Sequence, residues 1–126
     1  MKSNPTASVL VVDDDQRYVQ TLRHALDKRG INVTGCTDRY RAMEFAADRR
    51  FQMIVCDYFM PMIDSKSLLK KIQKLRPDCR LVLTSSYPIG TKQTNEGAID
   101  FIDKSELAGF IPRRVSLRRP AEKVTG

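Results

Sequence analysis

Three aspartates in a row, Asp13, Asp14 and Asp15, close the apolar run Val9-Leu10-Val11-Val12. A further aspartate, Asp57, closes a second such run, Met53-Ile54-Val55-Cys56. Later apolar runs lead to the hydroxyls of Thr84, Ser85 and Ser86 and to the ammonium of Lys104. Crowded carboxylates resist ionising together unless a cation joins them. An all-oxygen donor set points to Mg²⁺, which takes one or two carboxylates and completes its shell with water and phosphate oxygens. A carboxylate beside such an ion can attack a phosphoryl group and form an aspartyl-phosphate. The metal and the lysine would then neutralise charge on the transferring group, and a hydroxyl would donate a hydrogen bond to it.

These groups must be brought together by the chain around them. Residues 8–13, 31–36, 51–57, 79–85 and 98–103 are short runs rich in Val, Ile, Leu or Phe, each of strand length. Stripes of helical spacing separate them: Val19, Leu22 and Leu26, stopped by Gly30; Met43, Ala46 and Ala47, after the N-cap Asp38; Leu68, Ile72 and Leu75, ended by Pro77. Lys66, Lys70, Lys71 and Lys74 fill the wet side of the third stripe. The next two helices read as shortened. One spans a segment with Pro88, Gly90 and Gly97 and almost no apolar stripe; the other is interrupted at Gly109 and stopped near Pro112. The alternation predicts an α/β fold, a doubly wound five-stranded parallel sheet with helices on both faces. Ligands of such sheets sit beyond the carboxyl ends of the strands, where the aspartates, hydroxyls and lysine would converge.

With 126 residues the chain has room for one domain with a sizeable core. Its three cysteines, Cys36, Cys56 and Cys79, show no CxxC spacing, which argues against a zinc site or a disulfide framework and for reduced thiols in a cytoplasm. Cys56, beside Asp57, reads as a buried structural thiol, and His24 as a surface residue. The start shows no secretory leader, and no apolar run approaches the roughly 18 residues of a membrane span. Of the net charge of +7, a large share comes from Arg113, Arg114, Arg118, Arg119 and Lys123 near the end. Residues 1–112 are expected to form the domain and 113–126 a disordered basic tail. Nucleic acid is a conceivable but not favoured partner of that tail.

The stretches "VLVVDDD", "VCDYFMPMID", "LVLTSSY" and "GAIDFIDKS", in this order and spacing, resemble the receiver domain of two-component response regulators over residues 8 to 104. The resemblance implies a flavodoxin-like strand order 2-1-3-4-5, Mg²⁺ as cofactor and Asp57 as phosphoacceptor. Asp13 and Asp14 match the family's acid pair, with Asp14 the more direct metal ligand and the backbone carbonyl of Phe59 another. Lys104 matches the lysine that pairs with the phosphoryl group, and Phe101 the aromatic that changes rotamer on activation. Ser85 matches the switch hydroxyl, with Thr84 as runner-up. Asp15 falls outside the acid pair and reads as a helix N-cap. The implied partners are a histidine kinase or histidine phosphotransfer protein upstream and an unidentified output protein downstream.

The sequence departs from the family pattern in places. Ser65 stands where glycine is usual. Ser105, not proline, follows Lys104, so the cis peptide typical there is not expected. The stretch from Ser85 to Lys104 is short by about one helical turn. Phe59 and Tyr87 flank the acceptor and would slow attack by water. The expectation is a stand-alone receiver in the cytoplasm, a phosphoacceptor rather than a dedicated enzyme. Two rival readings are a phosphorylation-independent binding module using the basic tail, and a phosphatase of the haloacid-dehalogenase type with Asp13 as nucleophile.

Overall fold

Val9 and Val11 turn to one side of the first strand and Leu10 and Val12 to the other, and all four are buried. The strand is therefore covered on both faces, as a parallel sheet requires. The computed structural model describes residues 7–86 and 99–115. In chain order these form β1 (Ala7–Val12), α1 (Gln16–Asp27), β2 (Ile31–Cys36), α2 (Arg39–Asp48), β3 (Met53–Asp57), α3 (Ser65–Leu75), β4 (Arg80–Ser85), β5 (Ile99–Asp103) and α4 (Lys104–Arg114). The sheet is parallel throughout, in the order β2-β1-β3-β4-β5. All five expected strands are present within a residue or two of their expected limits.

The two faces carry separate cores. Val9, Val11, Val55 and Val82 pack with Val19, Leu22 and Leu26 of α1 and with Leu107, Phe110 and Ile111 of α4. Leu10, Val12, Ile54 and Leu83 pack with Ala42 and Ala46 of α2 and with Leu68, Leu69 and Ile72 of α3. Two stripes are rotated from their expected phase: Ala47 lies outside while Ala42 is buried, and Leu75 is exposed while Leu69 is buried. On α2 the buried positions are Ala42 and Ala46, with Met43 and Phe45 partly buried beside them, so hydrophobicity alone does not mark its inner face.

Each helix opens on an aspartate. Asp15, Asp38 and Asp64 accept from the backbone N–H of Tyr18, Arg41 and Ser67 at 3.1, 2.8 and 3.2 Å, and Asp103 accepts from that of Ser105 at 2.9 Å. The expected caps at Asp15 and Asp38 are thus present. Gly30 takes a φ of 77° after α1, which glycine alone adopts without strain. Gly35 lets α1 lie close on β2, since a Cβ there would stand 2.7 Å from Val19 Cγ1. Arg76 joins α3 to α2: its guanidinium donates to the carbonyls of Ala46 and Ala47, both at 2.8 Å.

The helix after β5 is not cut short. α4 runs for 11 residues through Gly109 and Pro112. Proline in a helix lacks one N–H and crowds the carbonyl four residues back. Here it sits near the helix end, and burial of Leu107, Phe110 and Ile111 outweighs it. The segment expected to hold the preceding helix, residues 87–98 with Tyr87, lies outside the described residues, as does the tail beyond residue 115.

Candidate functional site

The carboxyl ends of β1 and β3 are neighbours because those strands pair in register, Val12 opposite Cys56. The next residues are therefore Asp13 and Asp57, and both are buried. One carboxylate oxygen from each of Asp13, Asp14 and Asp57 lies within 4.8 Å of the others. Asp14 is the exposed member. Lys104 enters from the start of α4, its Nζ 2.8 Å from Asp13 Oδ2 and 3.5 Å from Asp57 Oδ2. Asp13 Oδ2 is buried, and the Lys104 ammonium is what faces it. Asp13 Oδ1 accepts from the backbone N–H of Asp15 at 2.9 Å.

Burial pushes the Asp57 carboxyl above its ordinary range, and the negative charge of Asp13 pushes it further. Lys104 and the Phe59 N–H, 3.3 Å from Asp57 Oδ1, oppose this without cancelling it. For Lys104, burial favours the neutral form, but the hydrogen bond and charge of Asp13 and then the charge of Asp57 outweigh burial and hold the ammonium above the usual lysine range. Among the described residues, the Lys104 ammonium is the cation that pairs with Asp13 and Asp57 in this cluster of three carboxylates. This all-oxygen set, short of positive charge, fits a hard divalent cation such as Mg²⁺.

The loop from β3 to α3 wraps the carboxylate. Met62 holds a left-handed φ of 63° at its tip, an unusual conformation for a residue with a side chain. The buried hydroxyl of Ser65 donates to the Asp57 carbonyl at 2.5 Å, closing the loop's base. Burial pushes the Cys56 thiol up to about 12, which suits the expected structural thiol. Tyr58 stands between two other rings, 4.9 Å from Phe59 and 5.7 Å from half-buried Phe101.

Thr84 and Ser85 are both buried. The Thr84 hydroxyl donates to the Ile102 carbonyl at 2.7 Å, so β5 already takes its proton. Leu83 pairs with Phe101, and side chains alternate along a strand. Ser85 therefore shares the face of Phe101, and Thr84 the opposite one. Asp15 turns its carboxylate to the start of α1, so it joins no pair with Asp13. No peptide among the described residues is cis, as the Lys104–Ser105 sequence led one to expect.

Tyr18 escaped the sequence reading. Its hydroxyl donates to the Lys104 carbonyl at 3.2 Å, and Lys104 Nζ lies 4.7 Å from its ring centroid. Burial first, then the charges of Asp13 and Asp57, hold its phenol well above the usual tyrosine range, so it remains a donor. An aromatic three residues past an N-cap, beside the stripe of Val19 and Leu22, is the only local signal it offered.

The sequence matches the response regulator receiver domain family over residues 9–114. Among curated proteins, the DNA-binding transcriptional regulator NtrC of Rhizobium meliloti (strain 1021) is 30% identical over 125 residues, covering 92% of this chain and 26% of its own length. The chain spans about a quarter of that relative and of similar regulators. The Francisella response regulator 1452 receiver domain is 26% identical with a TM-score of 0.73, over 86% of this chain and 95% of that one. A response regulator from Burkholderia pseudomallei, crystallised with a phosphorylated aspartic acid, calcium ion and citrate, gives a TM-score of 0.75 at 24% identity, over 94% of this chain and 71% of that one. Among the described residues no helix is long and apolar enough to cross a membrane.

Proposed function

The chain belongs to the response regulator receiver domain family, and from that premise we propose that Asp57 is its phosphoacceptor. An Asp57 carboxylate oxygen attacks the phosphorus of a phosphohistidine on a kinase or phosphotransfer protein. The P–O bond forms as the P–N bond breaks, and the imidazole departs. Asp13, Asp14, Asp57 and the Phe59 carbonyl would hold Mg²⁺, which when bound supplies charge neutralisation at the phosphoryl oxygens. The exposure of Asp14 supports it as the more direct ligand, and the burial of Asp13 against Lys104 supports an indirect one. Lys104, within reach of Asp57, turns its charge to the new phosphoryl oxygens.

The observation that carries this reading is a buried aspartate with two more beside it and the Lys104 ammonium within reach. Phosphorylation adds a charge of about −1.5 to −2 and three acceptor oxygens. Thr84 is committed to the Ile102 carbonyl, and Ser85, on the face of Phe101, is then the hydroxyl drawn to the phosphoryl group. Phe101 shares its face and touches Tyr58, the residue after the acceptor. Movement of Ser85 shifts the balance between two packings of Phe101, and an output protein reads the altered surface. Phe59, half-exposed beside the carboxylate, hinders attacking water and lengthens the phosphoryl lifetime.

That the chain works as a stand-alone receiver in a cytoplasm is part of the proposal; the mass and fractionation of the native protein check it. Incubation with Mg²⁺ and acetyl phosphate should add one phosphoryl group by intact mass. Uptake that survives Asp13→Asn but not Asp57→Asn excludes Asp13 as nucleophile. Uptake by Asp57→Asn at the wild-type rate overturns the assignment.

A further inference from the structure

Lys104 carries a long side chain, and holding a lysine in one conformation costs rotamer entropy. Its ammonium must nonetheless stand between Asp13 and Asp57. Two devices restrain the backbone here. Asp103 caps α4 by accepting from both the N–H and the hydroxyl of Ser105, at 2.9 and 2.8 Å. The second comes from the opposite end of the chain. Tyr18, on the first turn of α1, donates its hydroxyl to the Lys104 carbonyl across 86 residues of sequence. Its ring also lies beneath the ammonium of the same residue. The negative face of an aromatic ring attracts a cation at this distance, the more so where water is excluded. Lys104 is thereby held at both ends, backbone and tip, by one side chain.

We propose that Tyr18 is a positioning residue that holds Lys104 in the crevice for phosphoryl transfer to Asp57. The proposal rests on the reading of Asp57 as phosphoacceptor. It goes beyond that reading by making α1 part of the transfer machinery. Tyr18 makes no bond to the transferring group; it acts through the lysine alone.

Full-length chains carrying Tyr18→Phe, which keeps the ring, and Tyr18→Leu, which removes ring and hydroxyl, test this. The probe is acetyl phosphate with Mg²⁺, followed by intact mass against time. The rate should fall about twofold in the Phe variant and about five- to tenfold in the Leu variant, the range of a partly desolvated cation–π contact and a hydrogen bond. Repeating Tyr18→Leu on a Lys104→Met background supplies the readout that a merely structural role would not give. No further slowing there means that Tyr18 acts through Lys104; equal slowing on both backgrounds overturns the proposal, as does no slowing on either. Should uptake on the Lys104→Met background be too slow to follow, the Lys104 side-chain proton resonances decide. They should carry an upfield ring shift that Tyr18→Leu abolishes, and its absence from the wild type overturns the contact. A wild type that takes up no phosphoryl group brings down the Asp57 reading and this proposal with it, whereas normal uptake untouched by Tyr18→Leu brings down this proposal alone.

Discussion

Seven aspartates line the carboxyl edge of the sheet, and they meet two different fates. Asp15, Asp38, Asp64 and Asp103 each sit at a helix start with a peptide N–H for partner. Asp13, Asp14 and Asp57 crowd one crevice beside the Lys104 ammonium. The contrast is plainest between Asp103 and Asp57. Hydrogen bonds from the Ser105 N–H and hydroxyl hold the Asp103 carboxyl below its ordinary range, whereas burial and the charge of Asp13 hold that of Asp57 above it. The capping set is at rest electrostatically, while the crevice set is held in mutual repulsion that a cation or a chemical change at one oxygen can relieve. Stability and function thus draw on the same side chain placed a few residues apart.

The sharpest break of this contrast is Asp57→Asn, which should abolish phosphoryl uptake from acetyl phosphate by intact mass. Next in size, Lys104→Met leaves the buried carboxylates uncompensated and should cost about 3 kcal/mol in urea unfolding. Saturating Mg²⁺ should restore part of that loss. Asp38→Ala removes a cap and should cost about 1 kcal/mol, with no response to Mg²⁺. The smallest effect is a pH slope. Because the folded-state pKa of Asp57 is raised, the native protein binds more protons than the unfolded chain between the ordinary value of 3.8 and the raised one. The Asp57 contribution to stability therefore falls as pH rises through that window. Unfolding titrations without metal should show this component in the wild type and not in Asp57→Asn.

The strands were legible because each is an apolar run ending at a polar residue, and a parallel sheet buried on both faces demands such runs. The same feature disclosed the candidate site: Asp13, Asp14, Asp57 and Lys104 all follow strand ends, and their order alone suggested convergence. The caps at Asp15 and Asp38 were legible because capping is local. What escaped depended on contacts between distant segments. Pro112 and Gly109 signalled a broken helix, yet the pocket that receives Leu107, Phe110 and Ile111 overrides them. Ser65 was noticed only as a departure from glycine, and its bond to the Asp57 carbonyl closes only once the loop folds back. Tyr18 was invisible because its partner arrives with α4.

The guanidinium of Arg76 has a mechanical consequence. By tying the end of α2 to the end of α3 through two carbonyls, it stiffens one flank of the sheet into a brace. α1 and α4 are joined instead by apolar contacts and by one hydrogen bond, from the Tyr18 hydroxyl to the Lys104 carbonyl. We therefore expect a push delivered at Asp57 to meet a stiffer wall on the α2–α3 side than on the α1–α4 side.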